Sequence, residues 1–181
     1  MSYIEEMLEF NKKFVAGKKY EAYVSTKYPN KKIAIVSCMD TRLTELLPAA
    51  LNLKNGDVQI VKTAGAVIPH PFGGVMRSLL VAVYELGVED IIVIGHHDCG
   101  MQNMRASRLL EKMVDRGIDR EKIELIANCG IDTDKWLKGF DRAEDAVTES
   151  VHVIRSHPMI PADIRVHGFV MDPVTGKLEK V

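Results

Sequence analysis

Two short segments carry side chains that could hold a metal ion. Cys38 follows one run of strand-like apolar residues, and His96 and Cys99 follow a second run farther along the chain. Two thiols and one imidazole suit a catalytic zinc site, in which three protein ligands leave a fourth position for water or a carboxylate. Asp40 is two residues from Cys38 and can reach the same ion. The spacing therefore predicts a zinc centre built from Cys38, His96, Cys99 and, in one state, Asp40.

Asp40 and Arg42 form a second candidate group. They are two residues apart, so their side chains share a face on an extended segment. A neighbouring guanidinium keeps a carboxylate ionised and oriented, and such a carboxylate could accept a proton from water or turn onto the metal. Taken alone the pair would be a structural salt bridge, just as each cysteine alone would be a small buried hydrophobe. Beside a metal site, a catalytic role is the better interpretation.

The composition is that of a folded protein without a bulk electrostatic partner. A chain of 181 residues suits one domain with its own core, and the net charge of -1 argues against nucleic acid. No apolar stretch is long enough to cross a bilayer, and the acidic N-terminus lacks the layout of a signal peptide. Three cysteines, an odd number, favour thiolate chemistry in a reducing compartment over a disulfide framework. We therefore expect a cytoplasmic protein.

Strand-like and helix-like segments alternate along the chain. Ser2 and Glu5 form a capping box that predicts a helix start, and Gly17 predicts its end. Strands are predicted at 33–37, 58–62, 90–94 and 164–171 with a short final one, and helices at 21–27, 43–50, 75–86, 100–114 and twice or more within 120–156. This alternation is typical of an α/β fold with a mostly parallel β-sheet flanked by helices. We predict a single domain over 1–181, with 1–28 as an N-terminal helical arm.

The predicted fold would bring the candidate groups together. In parallel sheets, ligands bind beyond the carboxyl ends of the strands. Both metal segments lie at such ends, and so does the small-residue bend at 63–66. The helix predicted from about Gly100 would also place Cys99 at a helix N-terminus, where a thiolate is favoured electrostatically.

The two metal segments resemble the motifs of the β-class carbonic anhydrases, and especially the small archaeal and bacterial branch of that class. The motif C-x-D-x-R is matched by Cys38, Asp40 and Arg42, and G-H-x-x-C-G by Gly95, His96, Cys99 and Gly100. Segments 37–43, 75–86 and 160–176 support the likeness, which runs from about Lys32 onward. His96 occupies the ligand position of the family, so the resemblance leaves His97 near the ligands or on the surface.

The resemblance implies a zinc enzyme that hydrates carbon dioxide reversibly to bicarbonate and a proton. It implies one zinc ion per subunit, Asp40 and Arg42 as catalytic residues, and carbon dioxide or bicarbonate as the only small-molecule partner class. Family members associate as dimers or higher oligomers, often with the N-terminal helix lying across the partner. We therefore expect a homodimer or a larger homo-oligomer, without nucleic acid or membrane.

The wall of the expected substrate pocket departs from the family. Thr63, Ala64, Gly65 and Ala66 stand where the family usually has Asn-Ala-Gly-Asn. Two amides are therefore missing near the substrate path, which keeps open a hydrolase of carbonyl sulfide or carbon disulfide on the same scaffold. A non-enzymatic zinc- or bicarbonate-binding protein is a further alternative, and a cysteine nucleophile is the weakest one, because it would need a neighbouring histidine base.

His70 is the candidate for moving protons to solvent. It lies between Pro69 and Pro71, in the loop that follows the bend. An imidazole with an unperturbed pKa near 6.5 can carry protons at working pH, and the two prolines would hold it in place. The competing interpretation is a surface histidine on a loop. Cys129 lies outside both motifs and is predicted to be a structural or surface thiol.

Overall fold

The computed structural model describes residues 2–181, which form a five-stranded sheet with helices on both faces. The strands are β1 (Ile33–Cys38), β2 (Val58–Thr63), β3 (Asp90–His96), β4 (Arg165–Met171) and β5 (Leu178–Lys180). The helices are α1 (Tyr3–Ala16), α2 (Leu43–Ala50), α3 (Gly74–Tyr84), α4 (Ala106–Asp115), α5 (Arg120–Asn128), α6 (Thr133–Leu137) and α7 (Ala143–Arg155). The predicted α/β class is confirmed.

The strand order is β2-β1-β3-β4-β5, and only β5 runs antiparallel to its neighbour. In β1, Ala34 and Val36 pack in an apolar cluster with residues of α3 and α7, whereas Ile35 packs in a second cluster with residues of α2. Cys38, the last residue of the strand, departs from this alternation and joins the second cluster. β1 therefore needs apolar residues throughout, because helices cover both of its faces. The central position of β1 and β3 places their carboxyl ends side by side.

The bounds of α1 are determined by its local sequence and not by burial. The Glu5 amide donates to Ser2 Oγ (3.3 Å) and the Ser2 amide donates to Glu5 Oε2 (2.7 Å), which completes the predicted capping box. Gly17 follows the last helical residue, as predicted. No residue of α1 is buried against the rest of the described chain. Among residues 2–181, every helix is too short or too polar to cross a bilayer.

Two helix predictions were wrong. The segment predicted as a helix at 21–27 is a 3-10 turn over Lys19–Tyr23. The helix predicted from Gly100 begins only at Ala106, because Asn103 has a positive φ of 57° and Arg105 is extended. The Asn103 amide donates instead to the Phe140 carbonyl at 2.7 Å, which ties this turn to a distant segment. Cys99 therefore lies in a turn rather than at a helix N-terminus.

Candidate metal centre

The carboxyl ends of β1 and β3 bring three candidate ligands into one buried cluster. Cys38, His96 and Cys99 are each buried, and their ligand atoms lie within 4.8 Å of one another. β1 and β3 pair in parallel, with Ser37 opposite Ile94, so both strands end at the same edge. The turn after β3 then folds Cys99 back, and its Sγ lies 3.8 Å from that of Cys38.

His96 is oriented with one ring nitrogen free. Its Nδ1 lies 2.8 Å from the His97 carbonyl oxygen, and because a carbonyl can only accept, Nδ1 carries the proton of this bond. In the neutral ring Nε2 then has a free lone pair. Nε2 is buried and has no hydrogen-bond partner among residues 2–181. His97 contributes to this site through its backbone carbonyl, which agrees with the first of the two predicted alternatives, a position near the ligands.

The two thiols share their environment unequally. The side chain of Cys99 lowers the pKa of Cys38 against the effect of burial, and the side chain of His96 and the backbone of Asp40 and Gly65 lower it further. The neighbouring Cys38 and burial together raise the pKa of Cys99, against the amide of Met101. The two thiols therefore titrate as one coupled pair rather than independently.

Asp40 is held by Arg42 on the rim of the cluster. Arg42 Nε donates to Asp40 Oδ1 at 3.0 Å and Nη2 donates to Oδ2 at 2.9 Å, and this side-chain pairing lowers the pKa of Asp40 to about 2. Asp40 Oδ2 lies 3.8 Å from His96 Nε2, close enough for a small rotation to bring it to a shared ion. In this structure Asp40 is paired with Arg42.

Asp98 is a site residue that sequence reasoning did not identify. Arg42 Nη1 donates to Asp98 Oδ2 and Nη2 donates to the Asp98 carbonyl, both at 2.8 Å. Arg42 thus ties the segment after β1 to the turn that carries Cys99. The only sequence signal was an acid next to a candidate ligand, and the positive φ of Asp98 (52°) that aims it at Arg42 is not visible in the sequence.

The bend at 63–66 forms one wall of the site. Thr63 is the strand partner of Cys38, and its carbonyl accepts from the Met39 amide at 2.8 Å. Gly65 has a φ of 73° and lies against Met101 and Phe140, which also pack in the cluster with both thiols. Thr63 Oγ1 is buried without a hydrogen-bond partner in the described chain. Ala64 is exposed and Ala66 is buried, and the role of these four residues as a pocket wall stays a prediction.

His70 lies in an exposed loop with its own set of contacts. Its Nδ1 accepts from the Phe72 amide at 3.0 Å, and its ring lies 6.3 Å from that of Phe72. Phe72 in turn packs on the buried His157 at 5.2 Å between ring centroids. These contacts join the loop to the end of α7, and the role of His70 in proton transfer stays a prediction. Cys129 is exposed, which agrees with the predicted alternative of a surface thiol.

The cluster fits a zinc ion by its donor set and spacing. Two sulfurs bound to tetrahedral zinc at about 2.3 Å lie about 3.8 Å apart, and the sulfurs of Cys38 and Cys99 have that separation. The unpartnered Nε2 of His96 supplies the third donor. Bonding of the other ring nitrogen to a carbonyl is the usual way in which a metal-binding histidine is oriented.

Comparisons with known proteins agree on one family. The profile of the carbonic anhydrase family matches residues 33–178. Over 181 residues the chain is 55% identical to YtiB of Bacillus subtilis (strain 168), which bears a provisional carbonic anhydrase name, and the match covers 100% of this chain and 97% of that protein. The crystal structure of β-carbonic anhydrase isoform I (TvaCA1) from Trichomonas vaginalis matches with a TM-score of 0.90 at 36% identity, covering 99% of this chain and 97% of that one.

A more distant relative has a different substrate in its name. The carbon disulfide hydrolase of Acidithiobacillus thiooxidans is 26% identical over 156 residues, covering 82% of this chain and 76% of that protein. The same scaffold therefore occurs in proteins named for two reactions.

Proposed function

This chain belongs to the carbonic anhydrase family, in its β class, and on that premise we propose that it is a zinc enzyme that catalyses the reversible hydration of carbon dioxide to bicarbonate and a proton. The observation that carries the proposal is the buried cluster of Cys38, His96 and Cys99 with its unpartnered imidazole nitrogen. We assign these three side chains as the ligands of one zinc ion. When bound in such a site, zinc makes water nucleophilic near neutral pH.

Arg42 keeps the acid of the site ready for proton transfer. Its two bonds to Asp40 hold that carboxylate ionised and in place beside His96. In this position Asp40 can accept the proton of the attacking water. Asp98 contributes by holding the other side of Arg42. If Asp40 leaves Arg42 and turns towards the cluster, it occupies the fourth metal position and excludes water from it.

Elemental analysis and stopped-flow kinetics test the ligand assignment together. We expect about one zinc per chain in the parent, and the loss of both zinc and carbon dioxide hydration in Cys38→Ala, because the site has no spare protein ligand. Cys129→Ala is the matched control, since that thiol is exposed and far along the chain from the cluster. Full zinc in purified Cys38→Ala would show that the ligand assignment is wrong.

Carbon disulfide or carbonyl sulfide hydrolysis is the second candidate function. It is favoured by the relative named as a carbon disulfide hydrolase and by the bend at 63–66, which lacks the two amides usual in the family. All these substrates are linear molecules with a central electrophilic carbon. Parallel assays with carbon dioxide, carbonyl sulfide and carbon disulfide on the same preparation decide between them.

We also propose that the protein is a homodimer or a larger homo-oligomer in the cytoplasm. α1 leaves Ile4, Met7, Leu8 and Phe10 each more than half exposed, and an apolar stripe of this size fits burial against another subunit. The structures of relatives include two tetrameric β-carbonic anhydrases from Sordaria macrospora. Sedimentation velocity of the parent and of Met7→Glu tests the assignment, with dissociation expected in the variant.

A further inference from the structure

A cavity of about 350 Å³ lies beside the metal centre, on the side of the segment between β3 and α7. Its lining is apolar except for Thr63 and the side chain of Lys138. The residues that matter here are Thr63, Ala64, Met101, Met104, Leu109 and Trp136. The last three of them come from the turn before α4, from α4 and from α6, none of which belongs to the sequence motifs.

Two of the residues that line the cavity also lie next to the cluster of Cys38, His96 and Cys99. Thr63 is the strand partner of Cys38, and its carbonyl accepts from the amide of Met39, the residue after that thiol. Met101 is two residues after Cys99, and its side chain packs in the same apolar cluster as both thiols. Thr63 and Met101 therefore contact both the cavity and the surroundings of the two thiols.

The lining determines which chemical species the cavity favours. A water molecule occupies about 30 Å³ in the liquid, so the cavity has ample room for a small linear molecule. Transferring an ion into an apolar site without paired groups is costly, and the only charged lining residue is the exposed Lys138. The cavity suits a neutral apolar substrate and not an anionic product.

We infer that this cavity is the holding and entry site for the neutral substrate, and that Leu109 and Trp136 set the size of the molecules that pass. The inference rests on the proposed function for the identity of the substrate as a linear molecule of carbon with oxygen or sulfur. It assigns a selectivity role to α4 and α6, outside the segments that carry the metal ligands.

Xenon tests the cavity without reference to catalysis, because it is neutral, apolar and chemically inert. In the zinc-loaded protein, a titration followed by ¹²⁹Xe NMR is expected to show a site that Leu109→Trp weakens by about tenfold, in line with the usual effect of size changes in apolar pockets. Leu109→Ala should keep xenon binding. Leu125→Trp is the matched control, because Leu125 lies on α5, is 61% exposed and does not line the cavity.

Carbon dioxide kinetics form the second arm. Leu109→Trp should lower kcat/KM by about tenfold with zinc retained, while kcat in concentrated buffer changes little, because proton export follows substrate entry. Leu109→Ala makes the side chain smaller instead of larger. It keeps the inference testable if the tryptophan variant does not fold. It should raise kcat/KM for carbon disulfide relative to carbon dioxide.

The outcomes separate the two proposals. If the parent hydrates carbon dioxide but Leu109→Trp behaves like Leu125→Trp in both arms, the cavity inference is overturned and the function stands. If the parent turns over none of the linear substrates, the proposed function fails, and xenon binding alone decides whether the cavity accepts neutral apolar molecules. Absence of a xenon site in the parent overturns the inference in either case.

Discussion

Replacing Gly65 with alanine tests whether the bend at 63–66 must be free of side chains. Gly65 has a φ of 73°, and a Cβ there would lie 2.8 Å from Phe140 Cε1 and 3.2 Å from Met101 Cβ. Gly87 has nearly the same φ of 71°, and a Cβ there would meet nothing within 4 Å. Both alanine variants carry the left-handed backbone cost of about 1 kcal/mol. Only Gly65→Ala adds overpacking, which costs about 1–3 kcal/mol.

The difference in the free energy of unfolding between the two variants therefore measures the steric cost of a methyl group at position 65. For a chain of this length, 1 kcal/mol shifts Tm by about 2–4 °C, so Gly65→Ala should melt roughly 2–12 °C below Gly87→Ala. Calorimetry of zinc-loaded samples measures this gap. Gly65→Ala should also bind zinc more weakly, because the added Cβ would displace Met101 and Phe140, which pack in the cluster with both thiols. Equal melting temperatures with equal zinc affinity would refute the steric argument.

Three further changes probe the polar groups of the site. In the parent we expect the hydration rate to rise above neutral pH, because hydroxide then competes better with Asp40 for the metal. Arg42→Ala should free Asp40 to bind the metal, so zinc is kept while the hydration rate falls severely and this rise is lost; stopped-flow rates against pH measure both. In zinc-free protein the depressed pKa of Asp40 adds stability above pH 3.8 that is lost as pH falls to about 2, so the Tm gap between parent and Arg42→Ala should close over that range. Thr63→Val removes an unpartnered buried hydroxyl and should leave Tm unchanged or higher; an unchanged kcat/KM would show that this hydroxyl contacts no substrate. His70→Ala should lower kcat in dilute buffer but not kcat/KM, with partial rescue by imidazole, and an unchanged kcat would rule out the proton shuttle.

Local patterns in the sequence determined most of the fold. The capping box of Ser2 and the stop at Gly17 were predicted correctly, because caps depend on residues within one turn of each other. The strands ending at Cys38 and His96 were also predicted to within two residues, because apolar runs bounded by polar residues are a short-range signal. The family followed from the residue types at these ends, and the comparisons confirm it.

Only the tertiary structure decided how the groups around the metal centre meet. The turn at 100–105 bonds to Phe140 instead of starting a helix, and no periodicity in the sequence records a bond over that separation. The contact of Arg42 with Asp98 depends on parallel pairing of β1 with β3 and on the positive φ of Asp98. The ligand types were readable from the sequence because they are a property of single residues. The backbone groups around the thiols, the contact of Asp98 with Arg42 and the apolar cavity were not readable from the sequence. Each of them depends on strand register and on the packing of segments far apart in the chain.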